Sequence, residues 1–224
     1  MNQFADFLKV YKADELDLVR AVSVADATYS ELMRKYEDHL KNIERPSDLH
    51  FVCDNKIIAE ILTPAEINSF LQATQQYEVN RKYSWETGII ISCLLQNSYN
   101  YGYNDFYLNT KALSNISNLG ACVIGTEDNP LSVAVQGDIE SNLGHGAQYS
   151  NFNLSGTVGD LCGSKARYSS FTLDRSVGER CGEGAIYCTF KTSVWENVEK
   201  IRGNLSGFSN TLIYINNGKE VRII

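Results

Sequence analysis

Gly144-His-Gly-Ala-Gln-Tyr-Ser-Asn-Phe-Asn-Leu154, Gly163-Ser-Lys-Ala-Arg-Tyr-Ser-Ser-Phe-Thr-Leu173 and Gly182-Glu-Gly-Ala-Ile-Tyr-Cys-Thr-Phe-Lys-Thr192 are three lines of one repeat with a period of 19 residues. Stacked, they give columns: Gly144/Gly163/Gly182, Ala147/Ala166/Ala185, Tyr149/Tyr168/Tyr187 and Phe152/Phe171/Phe190. Val133 and Val135 continue the Phe and Leu columns one period upstream. A fixed period of this length matches one turn of a coiled sheet or a leucine-rich unit, and the leucine-rich pattern is absent. Phe-x-Leu alternation is that of a strand with one buried face. The glycines then stand where the chain turns, since a residue without a β-carbon reaches positive φ at little steric cost. The alanines are small where a narrow interior leaves little room. Equivalent residues would lie about 4.8 Å apart, making the Phe and Leu columns internal ladders. Both ends of such a stack need caps, because unpaired strand edges recruit other chains.

The run Gly156-x2-Gly159-x3-Gly163-x2-Ala166-x2-Ser169-x-Phe171-x-Leu173 resembles the glycine-punctuated repeat of the right-handed parallel β-helix found at the C-terminal end of the glutamate synthase large subunit and in a structural subunit of formylmethanofuran dehydrogenase. The resemblance covers under a third of the chain. Two departures mark it: Arg175 stands where a glycine is expected, and Ser150, Ser169 and Cys188 replace the paired glycine before the inner strand. In both families the module is scaffolding, so the resemblance implies a fold and no active-site residue.

The chain has 224 residues and a formal charge of −7, enough length to bury a full core. No Lys/Arg run is present, which argues against nucleic acid as a partner. No stretch approaches the roughly 18 apolar residues of a membrane span, and Met1-Asn-Gln-Phe-Ala-Asp is no cationic leader, so a cytoplasmic location is expected. Cys53, Cys93, Cys122, Cys162, Cys181 and Cys188 lack C-x2-C spacing, and in a reducing compartment they read as buried thiols.

Upstream of the repeat, Phe4, Phe7, Leu8 and Tyr11 keep helical spacing, and Tyr29, Leu32, Met33, Tyr36, Leu40 and Ile43 form one apolar stripe on a helix ending before Pro46. That stripe is expected to pack on its own chain rather than in an intermolecular coiled coil. Leu49 to Cys53 and Ile57 to Leu62 read as a hairpin. Thr63-Pro-Ala-Glu66 opens a helix with inner face Ile67, Phe70, Leu71 and Thr74. A soft boundary falls between Gln75 and Tyr83. Ile89 to Leu95, after Ser84-Trp-Glu-Thr87, favours a helix covering the N-terminal end of the coil. Phe106 to Thr110 repeats the strand pattern, with Leu119-Gly120 and Val123 as its corner, and Thr126 to Pro130 is an insertion. Past Thr192, Ser193 to Arg202 reads as a helix, and Thr211 to Ile215, Asn217-Gly218 and Val221 to Ile224 as a capping hairpin. The expected class is α+β: a mainly helical region with a small hairpin over 1–80, and over 81–224 a right-handed parallel β-helix of about four to five coils, capped by helices and a terminal hairpin.

Four sets of side chains bear on chemistry. Cys162 and Cys181 share a column within disulfide reach; a redox or metal pair with Cys188 as third ligand is one reading, and an apolar column continuing Leu143 is the favoured one. Asp160 and Glu179 share another column, where stacked acids could hold a cation or act as an acid/base pair, yet exposed corner carboxylates offset by Lys165 and Arg180 are the commoner case. His39, His50 and His145 are the only histidines, too few for a histidine metal centre. Tyr149, Tyr168 and Tyr187 are expected in the core, or else as a flat aromatic strip suited to a partner. No cofactor-binding motif is present, and no catalytic set converges. The functional expectation is a non-catalytic structural or protein-interaction module, partnered by a protein or by itself. An enzyme acting on a carbohydrate or through the stacked cysteines is the alternative.

Overall fold

A computed structural model describes residues 27–43, 58–205 and 209–224. Over these the chain is α+β: helices α1 (Ala27–Asn42), α2 (Pro64–Ala73), α3 (Tyr83–Tyr101) and α4 (Trp195–Asn204) flank a mostly parallel sheet. Its seven strands are ordered β1 (Asp105–Asn109), β2 (Leu131–Gln136), β4 (Ser150–Leu154), β6 (Ser170–Leu173), β7 (Thr189–Thr192), β8 (Thr211–Asn216) and β9 (Lys219–Arg222). A second, two-stranded parallel sheet joins β3 (Ile139–Ser141) to β5 (Val158–Asp160). The helical pattern at Phe4 to Tyr11 and the first hairpin strand at Leu49 to Cys53 lie outside the described residues, and no strand occurs over 58–63.

Register in the large sheet follows the repeat. Val133, Phe152, Phe171, Phe190 and Leu212 pair in succession, with Phe106 ahead of them. All six are buried, and the rings of Phe152, Phe171 and Phe190 stack at centroid distances of 5.1 and 5.0 Å. The same offset recurs on two further lines: Ile139, Val158 and Val177 pair in parallel, as do Gln148, Arg167 and Ile186.

Between the second and third lines each repeat makes two consecutive tight turns. His145 N donates to Asn142 O and Ala147 N to Gly144 O, and the pattern recurs at Ser164/Leu161 with Ala166/Gly163 and at Glu183/Arg180 with Ala185/Gly182. Each turn takes positive φ at its third residue: Gly144, Gly163 and Gly182 at 61, 61 and 78°, then Gly146, Lys165 and Gly184 at 66, 57 and 68°. Glycine is required at the first set for a second reason. A β-carbon on Gly163 would lie 2.9 Å from the rings of both Phe171 and Phe190, so the bare backbone is the floor on which the Phe ladder rests. Gly120, with φ 65° and Phe152 at 2.4 Å from its would-be β-carbon, has the same place upstream, displaced by the insertion at Thr126 to Pro130.

The ends of the stacked repeats are closed by side-chain amides. A carboxamide carries one acceptor and donors, like a peptide group, and can stand in for a missing neighbouring strand. At the first edge, Asn68 Oδ1 on α2 accepts from Asn109 N and Gln72 Nε2 donates to Asn109 O. On α3, Gln96 Oε1 accepts from Ile124 N while its Nε2 donates to Ile124 O, and Ser92 Oγ donates to Asn118 O. The covering of the first edge is therefore shared by α2 and α3. At the opposite edge, Asn197 Oδ1 on α4 accepts from Val177 N and its Nδ2 donates to Arg175 O. Asn210 treats Cys188 N and Ala185 O in the same way.

Asn197→Ala leaves two peptide groups without partners at a buried place, and about 1–3 kcal/mol of stability is lost. Urea denaturation measures this, and a loss below about 0.5 kcal/mol would place the residue among ordinary surface positions.

Two local expectations change. Helix α3 begins at Tyr83 with no side-chain cap, so Ser84 to Thr87 is its first turn rather than its start signal. Thr63 does form the full capping box with Glu66. The terminal hairpin forms with Asn217 and Gly218 at φ 47 and 77°, but its first strand is another parallel rung on β7, because α4 fills the interval where a turn would stand. Finally, Leu32, Tyr36 and Leu40 of α1 are buried within the chain. Tyr36 packs on the rings of Phe70 and Tyr77 and shares a 2.6 Å hydrogen bond with Thr87, and His39 meets the buried Glu86 at 2.8 Å.

Candidate functional site

The cysteine column belongs to the buried interior. Cys162 and Cys181 are buried directly after Leu143 in the same column, and no disulfide joins them. A hydrogen bond between the Cys162 thiol and Cys181, together with burial, pushes Cys162 well above its ordinary range, the reverse of what a nucleophile or metal ligand needs. Burial likewise raises Cys188, whose sulfur donates to Ile186 O at 3.4 Å. Ser150 and Ser169 make the same bond two residues back, to Gln148 O and Arg167 O, and Ser169 Oγ also accepts from Ser150 N. The residues standing for a paired glycine are thus small donors that satisfy the corner.

Among the described residues no group of three or more His, Cys, Asp or Glu is placed to hold a metal ion. Native protein at neutral pH should leave Cys162 and Cys181 unlabelled by iodoacetamide, with full labelling in denaturant; labelling of the folded state would contradict the thiol assignment. The linkage has a sign: a raised folded pKa contributes stability that is whole below the unfolded thiol value of about 8.5 and is lost as pH climbs toward the folded value.

Asp160 and Glu179 are not a facing acid pair. Asp160 Oδ1 accepts from Glu179 N at 2.7 Å, repeating the bond from Thr157 N to Asp138 Oδ1 that holds the Asp138 carboxyl below its usual range. Glu179 itself turns to Lys200 at 3.7 Å, and Arg180 pairs with Glu183 rather than with the column. Of the histidines, His145 Nδ1 meets Ser164 Oγ at 2.6 Å, and His50 lies outside the described residues.

The tyrosine column is where the core expectation fails. Tyr149, Tyr168 and Tyr187 have φ of 46, 50 and 55°, a left-handed corner that turns the side chain outward although the residues after them, Ser150, Ser169 and Cys188, are buried. Tyr168 and Tyr187 are 47 and 53% exposed. The rings nevertheless stack, at 4.9 and 5.1 Å with planes within 8°. Beside them runs a groove of about 440 Å³. Asn151, Ser170 and Thr189 form its second rail, and Thr126, Glu127 and Pro130 lie at one end.

A second aromatic pair lies past the other end of the strands: Trp195, half exposed, meets the partly buried Tyr214 edge-on at 5.1 Å, with the exposed Val221 paired to Tyr214. Among the described residues, no helix is long and apolar enough to cross a membrane. No protein-family model, curated protein or solved structure matches this chain.

Proposed function

We propose that the chain is a short, capped, right-handed β-helix acting in the cytoplasm as a non-catalytic structural or protein-interaction module. Three parallel lines with one common offset support the coil, and the general handedness of parallel crossovers supports its hand. The observation that carries the interaction reading is the Trp195–Tyr214–Val221 cluster: the half-exposed indole at the start of α4 and the exposed Val221 of β9 flank Tyr214 of β8, whose ring is partly buried against the core. Aromatic anchors on a rigid frame lose little entropy on contact and dominate interface energetics. Beside Tyr214, Lys191 of β7 pairs with Glu220 of β9 at 2.9 Å. Affinity capture from host lysate should retain a stoichiometric protein on the wild-type chain and release it from Trp195→Ala. Equal capture by both forms removes the cluster from the reading, and no capture together with a concentration-independent monomer counts against the interaction role.

A further inference from the structure

The tyrosine groove sits at the opposite end of β7 from the Trp195 cluster, and what it could hold follows from three of its properties. The first is its period. Tyr149, Tyr168 and Tyr187 succeed one another at 4.9 and 5.1 Å, and the opposing Asn151, Ser170 and Thr189 advance with the same parallel register. A ligand read by every rung must repeat at that distance. An extended peptide offers same-face side chains every two residues, about 6.6–6.8 Å, and is out of step by the second rung. An equatorially linked pyranose chain advances by close to one strand spacing per ring and stays in step.

The second property is chemistry. The lining is phenol, hydroxyl and amide, with Glu127 its one charged group and no lysine or arginine. Such a surface satisfies hydroxyls, which both donate and accept, and repels carboxylates, sulfates and phosphates. The third is rigidity. Three successive tyrosines occupy left-handed backbone, which is strained for an L-residue, at a place where outward rings recover little burial. Tyr149 N is fixed to Arg167 O and Tyr168 N to Ile186 O, so the strain is held by the line below, and the ring positions are set before any ligand arrives. The end wall is tied as well, through the 2.6 Å bond from Tyr99 Oη to Asn129 O. A second copy of the chain would need about 800 Å² buried on each side, with two bodies of charge −7 brought together.

We infer that this groove binds a linear neutral glycan of the cellulose, xylan or chitin type, one sugar ring to each rung, without cleaving it. The inference rests on the ladder alone and stands whether or not the Trp195 cluster has a protein partner. Calorimetric titration of the full chain with cellohexaose, xylohexaose and chitohexaose, and with a galacturonate hexamer as the charged counterpart, tests it. At least one neutral hexamer should bind with Kd near or below about 1 mM, and the galacturonate hexamer should not. Tyr168→Ala should weaken binding about tenfold or more, and Thr189→Glu, which leaves every ring in place, should abolish it. Thermal melts verify that both variants fold. The inference is overturned if no neutral hexamer binds, if the galacturonate hexamer binds as tightly, if Tyr168→Ala and Thr189→Glu bind like wild type, or if sedimentation shows a dimer that Tyr168→Ala dissolves.

Discussion

Phe171→Ala lowers the unfolding free energy by about 3–5 kcal/mol. The ring is fully buried and lies between Phe152 at 5.1 Å and Phe190 at 5.0 Å. Its backbone is hydrogen-bonded into strands on both sides, so neither neighbour can slide in to fill the space, and the cost falls at the upper part of the range for large-to-small changes. Tyr168→Ala provides the internal comparison. It removes a ring of similar size from the same line and an equally regular stack, but from a half-exposed place, and should cost about 1 kcal/mol or less. Chemical denaturation of both variants separates burial from stacking: similar losses would show that the ladder geometry, rather than removal from water, holds the stack together.

Gly163→Ala is expected to cost about 2–5 kcal/mol through two separate effects. Left-handed backbone charges an alanine about 1–2 kcal/mol, and overlap of the new methyl with Phe171 and Phe190 adds about 1–3 kcal/mol. Lys165, two residues on, isolates the first effect, because it already carries a side chain at φ 57° where its equivalents Gly146 and Gly184 do not. Lys165→Gly should therefore be neutral or stabilising by up to about 1 kcal/mol. If Gly163→Ala proves as mild as an exchange at 165, the aromatic floor is not the reason for the glycine column.

These two positions also show what the sequence displays and what it conceals. The Phe and Gly columns were legible because a parallel register repeats both side-chain volume and backbone conformation in every line. Tyrosine orientation was not, since strand alternation places a residue by parity, while a left-handed corner breaks parity without leaving a mark on a tyrosine. The amide closures at Asn68, Gln72, Gln96, Asn197 and Asn210 were equally hidden: in a sequence these are ordinary polar residues, and only proximity to a bare strand edge gives them a task. The last parallel rung at Thr211 to Asn216 escaped because α4 changes the spacing from 19 to 22 residues between Phe190 and Leu212. Cys162 and Cys181 were readable as a column, and the apolar reading agrees with their burial beside Leu143.

The amide closures bind peptide N–H and C=O groups, which are identical in every line, and are indifferent to the side chains they cover. A gene segment encoding one further 19-residue line could be copied into the middle of the stack without any new terminus having to evolve. Length in this architecture is thus free to drift by duplication, and each added line would extend the outward tyrosine row by one ring.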